Sequence, residues 1–200
     1  MLTKLKAKIQ SAIKAQANAT NKIGLTPNVV SAAGMALAVL SALAYSSGRG
    51  SLLWAVVLLL LSGYCDMLDG ALARLHRKET PFGGFLDSLL DRYADSAVYA
   101  GIILGGFCAF PWGLAALTGS LLVSYTRARG EAAGVKMEGV GIAERAERII
   151  IIAAASLIEI FLVNALEAAI IILAILTNLT VLQRSIRAYK ALKKKEKAET

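Results

Sequence analysis

"CDMLDGALARLHRKETPFGGFLDSLLD", residues 65–91, places four aspartates in one short stretch of the chain: Asp66, Asp69, Asp87 and Asp91. The stretch follows directly on an apolar run, SLLWAVVLLLLSGY, residues 51–64. An ionisable group in a membrane segment is costly and is usually retained for a function. The stretch therefore indicates both the class of the protein and the place of its chemistry.

Two sets of small and acidic residues recur in this stretch at helical spacing. The set at i, i+3, i+4 and i+7 is Asp66, Asp69, Gly70 and Ala73. The set at i, i+4 and i+8 is Gly83, Asp87 and Asp91. Residues at these spacings share one face of a helix, so two antiparallel helices can bring the carboxylates together. Between the sets, Thr80 and Pro81 are typical of an N-cap and a first helical position.

Four carboxylates that lie close together repel one another unless cations bind between them. Sites with oxygen ligands alone favour hard divalent ions such as Mg²⁺ or Mn²⁺. A histidine site is not expected, because His76 is the single histidine of the chain. The alternative is that the aspartates form ion pairs with Arg74, Arg77 and Arg92 at a hydrated helix end.

The composition predicts an all-α integral membrane protein, since 56% of the 200 residues are hydrophobic. Six transmembrane helices are expected after an N-terminal amphipathic surface helix. Their expected bounds are Pro27–Ser46, Ser51–Leu72, Pro81–Phe107, Trp112–Thr126, Ile149–Val163 and Ala165–Leu182. The expected organisation is a juxtamembrane helix over residues 1–25, a six-helix domain over residues 26–190 and a basic cytosolic tail over residues 191–200.

The lysines and arginines predict the orientation of the chain in the membrane. Of the 22, all but Arg49 and Arg92 flank the same set of helix ends. By the positive-inside rule both termini are cytosolic, in a multi-pass protein of the cell membrane. The net charge of +8 then favours contact with anionic membrane lipids, and no nucleic-acid partner is expected. Cys65 and Cys108 fall near opposite ends of their helices, so no disulfide is expected.

The spacing of residues 66–91, D-x2-D-G-x2-A-R-x8-G-x3-D-x3-D, resembles the signature of the CDP-alcohol phosphotransferases. That resemblance implies a six-helix membrane enzyme that works as a homodimer. It also implies a site with two Mg²⁺ ions, or Mn²⁺, bound by Asp66, Asp69, Asp87 and Asp91. Asp91 is in addition the implied catalytic general base.

The same resemblance implies where the donor, a CDP-lipid such as CDP-diacylglycerol or CDP-archaeol, is bound. Within the signature the implied contacts are Gly70, Ala73, Arg74, Thr80 and Gly83. LTPNVVS, residues 25–31, resembles a second nucleotide-contacting segment of the family and adds Asn28, Val29, Val30 and Ser31. A helix start such as this one offers free N–H groups to an anion.

Two further segments resemble the branch of the family that makes phosphatidylinositol phosphate or archaetidylinositol phosphate. They are SYTRARGEAAG, residues 124–134, and GIAERAERIII, residues 141–151. The resemblance implies that the acceptor phosphate is held by Arg127, Arg145, Arg148 and Arg184. The alternative is that these arginines only follow the positive-inside rule and pair with Glu131, Glu144 and Glu147.

The function expected from these observations is transfer of a phosphatidyl or archaetidyl group from a CDP-lipid to myo-inositol phosphate, with release of CMP. One alternative is the same chemistry with another acceptor, such as glycerol phosphate, serine or inositol. A second is a divalent-cation carrier, which would place its charges near the middle of the membrane. Asp95 lies outside the signature and is expected to pair with Arg92 or with a neighbouring helix.

Overall fold

The computed structural model describes residues 13–142 and 144–199, and these form helices with no strand among them. The described part of the first helix, α1, covers residues 13–22. The six long helices that follow are α2 (Pro27–Ser46), α3 (Leu52–Leu75), α4 (Pro81–Leu104), α5 (Phe110–Ala132), α6 (Arg145–Glu159) and α7 (Ala165–Glu199). A 3₁₀ turn, Arg49–Ser51, precedes α3. The all-α class is therefore confirmed.

Local sequence determines where several of these helices begin. Thr26 and Thr80 are the N-caps of α2 and α4, and a proline follows each as the first helical residue. α6 begins four residues before the expected Ile149, because Glu144 and Glu147 form a capping box there. Leu2, Leu5 and Ile9, which predicted the amphipathic surface helix, lie outside the described residues.

Three helical segments of the described chain are long and apolar enough to cross a membrane: Pro27–Ser46, Arg49–Leu75 and Ala165–Lys197. α6 has only 15 residues. α4 also carries ionisable residues, and the carboxylates of two of them, Asp91 and Asp95, pair with Arg145 of α6. By length and composition these helices are those of a membrane protein, and carboxylates of α4 lie against α6.

The core is formed by close packing of α2 to α7. Tyr45 of α2 is fully buried, and its hydroxyl shares a hydrogen bond of 2.7 Å with Ser156 of α6. Gly101 of α4 lies against the backbone of Ala42, and any side chain at Gly101 would collide with that backbone. Small residues at such crossings let membrane helices approach closely.

At the bundle end opposite the aspartates, Glu159 joins three segments of the chain. Its side chain pairs with Arg49 and accepts a hydrogen bond of 3.0 Å from the backbone N–H of Leu166. The carboxylate is almost fully buried. Glu159 therefore fixes the α6–α7 connection against the turn before α3.

Candidate active site

Three of the four signature aspartates form a compact group, here called the acidic triad: Asp66 and Asp69 of α3 and Asp87 of α4. One carboxylate oxygen from each lies within 4.8 Å of the others. Asp69 is buried and accepts a 2.6 Å hydrogen bond from the hydroxyl of Ser31 on α2. Three carboxylates at this separation fit a divalent cation, which needs oxygen ligands and offsets their repulsion.

Asp91 lies one turn after Asp87 on α4 and is held by an arginine of α6. Nη1 of Arg145 lies 2.8 Å from an oxygen of Asp91 and 2.9 Å from an oxygen of Asp66. Arg92 is a more distant partner of Asp91, at 3.7 Å. The structure therefore places Arg145, expected at the acceptor phosphate, in direct contact with the carboxylates.

Arg145 remains charged in this position. An arginine side chain is always protonated in proteins, and the carboxylates of Asp66, Asp91 and Asp95 lie beside this guanidinium. Arg145 thus brings a fixed positive charge to the end of α6 that faces the aspartates.

A cavity of about 310 Å³ lies between the starts of α2 and α4 and the end of α3, and is here called the α2–α4 cavity. Seven of the nine residues expected at the CDP-lipid line it: Asn28, Ser31, Gly70, Ala73, Arg74, Thr80 and Gly83. Asp69 and Asp87 of the acidic triad also line it. Lys78 and Glu79 line it as well. Neither was predicted from the sequence, although both come just before the expected Thr80.

Two glycines, Gly70 and Gly83, leave free space beside the polar groups of this cavity. A Cβ on Gly70 would lie 3.2 Å from a guanidinium nitrogen of Arg74. A Cβ on Gly83 would lie 2.9 Å from the hydroxyl oxygen of Thr80 and 3.2 Å from the amide oxygen of Asn28. A side chain at either position would fill space beside the polar groups, so the glycines let a bulky group approach the backbone.

Val29 and Val30 do not line the α2–α4 cavity. Val29 is about half exposed, and Val30 is buried in a small apolar cluster with Leu68 and Leu72. Adjacent residues of a helix point in different directions, so the face that carries Asn28 and Ser31 excludes the residues between them.

A second cavity, of about 240 Å³, brings together all four arginines that were expected at the acceptor phosphate, and is here called the arginine cavity. These are Arg127 of α5, Arg145 and Arg148 of α6 and Arg184 of α7. Asp91 lines the same cavity. Three helices therefore place cations around the one signature aspartate that lies outside the acidic triad.

The four arginines are not equivalent. Arg184 is buried and donates to two backbone carbonyls, that of Val140 at 2.8 Å and that of Val123 at 2.5 Å. Arg127 is about half exposed and pairs with Glu131 at 3.0 Å. Arg184 therefore fixes the backbone segments that form one side of the cavity, whereas the side chain of Arg127 can turn toward a bound anion.

A third cavity, of about 430 Å³, lies between α1 and α3 and is mostly apolar. It is lined by Ile13, Lys14, Met67, Ala71, Arg74 and Leu75. Arg74 lines both this cavity and the α2–α4 cavity.

The chain is similar to known proteins over most of its length. Residues 24–182 match the CDP-alcohol phosphatidyltransferase family. The archaetidylinositol phosphate synthase of Methanothermobacter thermautotrophicus is 46% identical over 175 residues, which cover 86% of this chain and 88% of that protein. The corresponding synthase of Pyrococcus horikoshii is 38% identical and covers 96% of this chain and 98% of that protein.

A solved structure shows the same arrangement of helices. The phosphatidylinositol phosphate synthase of Mycobacterium tuberculosis, crystallised with CDP-DAG bound, matches with a TM-score of 0.78 and 32% identity. The match covers 88% of this chain and 93% of that one. The mycobacterial protein has also been crystallised with manganese and citrate.

Proposed function

Because the chain belongs to the CDP-alcohol phosphatidyltransferase family, we propose that its four signature aspartates catalyse a reaction between substrates bound in the two polar cavities. The enzyme transfers a phosphatidyl or archaetidyl group from a CDP-lipid to a hydroxyl of inositol phosphate and releases CMP. The observation that carries this function is that signature aspartates line both polar cavities. Asp69 and Asp87 line the α2–α4 cavity, while Asp91 lines the arginine cavity.

The CDP group occupies the α2–α4 cavity, with Arg74 on its diphosphate. A guanidinium offers a planar fork of donors that matches phosphate oxygens. Thr80 and Asn28 supply polar contacts, and Gly70 and Gly83 leave space for the group. The lipid chains run into the apolar cavity beyond Arg74. Relatives named for archaeal ether lipids and for phosphatidyl lipids are both similar to this chain, so the donor is CDP-archaeol or CDP-diacylglycerol.

Inositol phosphate occupies the arginine cavity, where Arg127, Arg145 and Arg148 face its phosphate and Arg184 keeps the wall in place. Charge-assisted bonds from arginine to phosphate are stronger than neutral hydrogen bonds. Serine and free inositol carry no phosphate for these cations to bind, and the cavity therefore favours a phosphorylated alcohol.

The reaction is a displacement at the lipid phosphate. The oxygen of an inositol hydroxyl forms a new bond to that phosphorus, and the bond between the phosphorus and the CMP oxygen breaks. CMP leaves with the electron pair of the broken bond. The carboxylate of Asp91 accepts the proton of the attacking hydroxyl, acting as a general base.

The acidic triad, with Asp91 as a further ligand, would hold two Mg²⁺ ions, or Mn²⁺ in their place. Ions bound there would supply positive charge for the charge that develops on the phosphate oxygens. The protein's own contribution is to fix the ligands: the hydroxyl of Ser31 orients the carboxylate of Asp69. Arg145 balances the charge of Asp66 and Asp91.

A substrate panel tests this function. With purified enzyme and a divalent ion, CMP release from each CDP-lipid should be fastest with inositol phosphate as the acceptor. Serine and free inositol should react more slowly because they bring no phosphate to the arginines, and glycerol phosphate because it lacks the inositol ring that places the reacting hydroxyl. Asp87→Asn serves as the inactive control for background hydrolysis. Equal rates with free inositol and inositol phosphate would contradict the proposed acceptor site.

Helices α2 to α7 are all proposed to cross the membrane. Both termini and the active site then lie in the cytosol. Two copies of the chain are proposed to form a homodimer. The distribution of cations supports this orientation, since the bundle end that carries the aspartates also carries Arg74, Arg127 and Arg184. The short α6 and the polar α4 then cross within the bundle, where their polar groups are paired.

Cysteine labelling tests the orientation. Ser47 and Lys78 are both exposed and lie at opposite ends of the bundle. In a background with Cys65 and Cys108 replaced by alanine, Ser47→Cys should react with an impermeant maleimide in intact cells. Lys78→Cys should react only after the membrane is opened. The reverse pattern would place the active site outside the cell.

A further inference from the structure

We propose that Asp95 is a positioning residue for the acceptor, because its carboxylate fixes two arginines of the arginine cavity. The inference rests on the proposed function and deepens it, since it names a group outside the signature that determines how the acceptor phosphate is bound. Asp95 lies on α4, one helical turn after Asp91, and therefore on the same face.

The geometry is that of one carboxylate shared between two guanidinium groups. Oδ1 of Asp95 accepts a hydrogen bond of 3.1 Å from Nε of Arg145. Oδ2 accepts one of 2.8 Å from Nη2 of Arg148. Arg145 and Arg148 are one turn apart on α6, so a single side chain of α4 fixes the direction of both.

Burial makes this arrangement specific. The side chain of Asp95 is 12% exposed and that of Arg148 is 3% exposed. Charges this deep are tolerated only when they are paired with good geometry. Without the carboxylate, Arg145 would keep only Asp66 and Asp91 as anionic partners, and Arg148 would lose its closest anionic one. Both guanidinium groups would then leave the positions they have in the arginine cavity.

Asp95 does not act as a ligand of the proposed metal site. Among the described residues, the group of close carboxylate oxygens consists of Asp66, Asp69 and Asp87. Each oxygen of Asp95 already accepts a hydrogen bond from an arginine. Its removal should therefore change the binding of the acceptor and leave the binding of the metal intact.

The test compares Asp95→Asn with the wild-type enzyme, using full-length protein in lipid nanodiscs. Asn keeps the size of the side chain but removes its charge. The Michaelis constant for inositol phosphate should rise about ten- to a hundredfold, because arginine bonds to the phosphate are weakened. The constant for CDP-lipid should stay within about threefold of wild type. Mn²⁺ binding, measured by electron paramagnetic resonance, should be unchanged.

Glu131→Gln is the matched control. It also removes a carboxylate that pairs with an arginine of the cavity, but Arg127 and Glu131 are both about half exposed. Exposed ion pairs contribute little, so both Michaelis constants of this variant should stay within about threefold of wild type.

The outcomes separate three cases. If wild-type enzyme fails to use inositol phosphate, the proposed function itself is wrong, and this is seen before any variant is measured. If Asp95→Asn raises both Michaelis constants equally, or neither, Asp95 has no positioning role. If Asp95→Asn does not fold, Asp95→Glu is measured in its place. This variant keeps the charge and moves the carboxylate oxygens by the length of one methylene. A rise for inositol phosphate alone in that variant supports the inference, and any other result overturns it.

Discussion

Asp91→Asn should lower kcat by roughly a hundredfold or more, since it removes the group that accepts the proton of the attacking hydroxyl. Asp91 lines the arginine cavity and not the α2–α4 cavity, so the donor loses no contact. CDP-lipid should therefore still bind, with an affinity within about threefold of wild type. The amide keeps the shape of the carboxylate, which limits any change in packing.

Two measurements check this expectation. Initial rates of CMP release give kcat, and equilibrium binding of a CDP-lipid to the same preparation shows that the α2–α4 cavity is intact. Glu131→Gln again serves as the control for loss of a carboxylate near the arginines. A kcat close to the wild-type value would remove Asp91 from the mechanism.

Chelation should abolish transfer, and Mg²⁺ or Mn²⁺ should restore it. The acidic triad places three carboxylate oxygens within 4.8 Å of one another, and such a group favours a divalent cation. Full activity in excess EDTA would show that the aspartates work without an ion.

The triad variant Asp69→Asn locates the ion independently of activity. Asp69 is the buried member, and the hydroxyl of Ser31 holds its carboxylate in place. Mn²⁺ binding measured by electron paramagnetic resonance should weaken by roughly tenfold or more in this variant, because one anionic ligand is lost. Ser47→Ala, at the far end of the bundle, is the control, and its Mn²⁺ binding should equal that of wild type.

Most of the correct predictions came from the spacing of residues along single helices. The aspartates at i, i+3 and i+4 lie on common faces in the structure, and Thr80 and Pro81 begin α4 as expected. Val29 and Val30 were expected at the CDP-lipid by resemblance but do not line the α2–α4 cavity, because they lie on other faces of α2 than Asn28 and Ser31. The i+4 continuation from Asp91 to Asp95 was the available signal for Asp95, and its expected pairing with a neighbouring helix is confirmed.

Contacts between distant helices could not be predicted from spacing. Nothing local to Arg145 indicates that its guanidinium reaches Asp66, about eighty residues earlier in the chain. Likewise, no local pattern indicates that Arg184 donates to the carbonyls of Val123 and Val140, or that Glu159 pairs with Arg49. Long side chains choose partners only after the helices have packed, and that packing depends on the whole chain.

The α2–α4 cavity and the arginine cavity are separate, and both reach the signature aspartates. Donor and acceptor can therefore be present at the same time, and the lipid phosphate need never be attached to the protein. A single direct displacement of this kind inverts the configuration at the phosphorus atom. A donor made chiral at that atom would yield a lipid of the opposite handedness after every turnover.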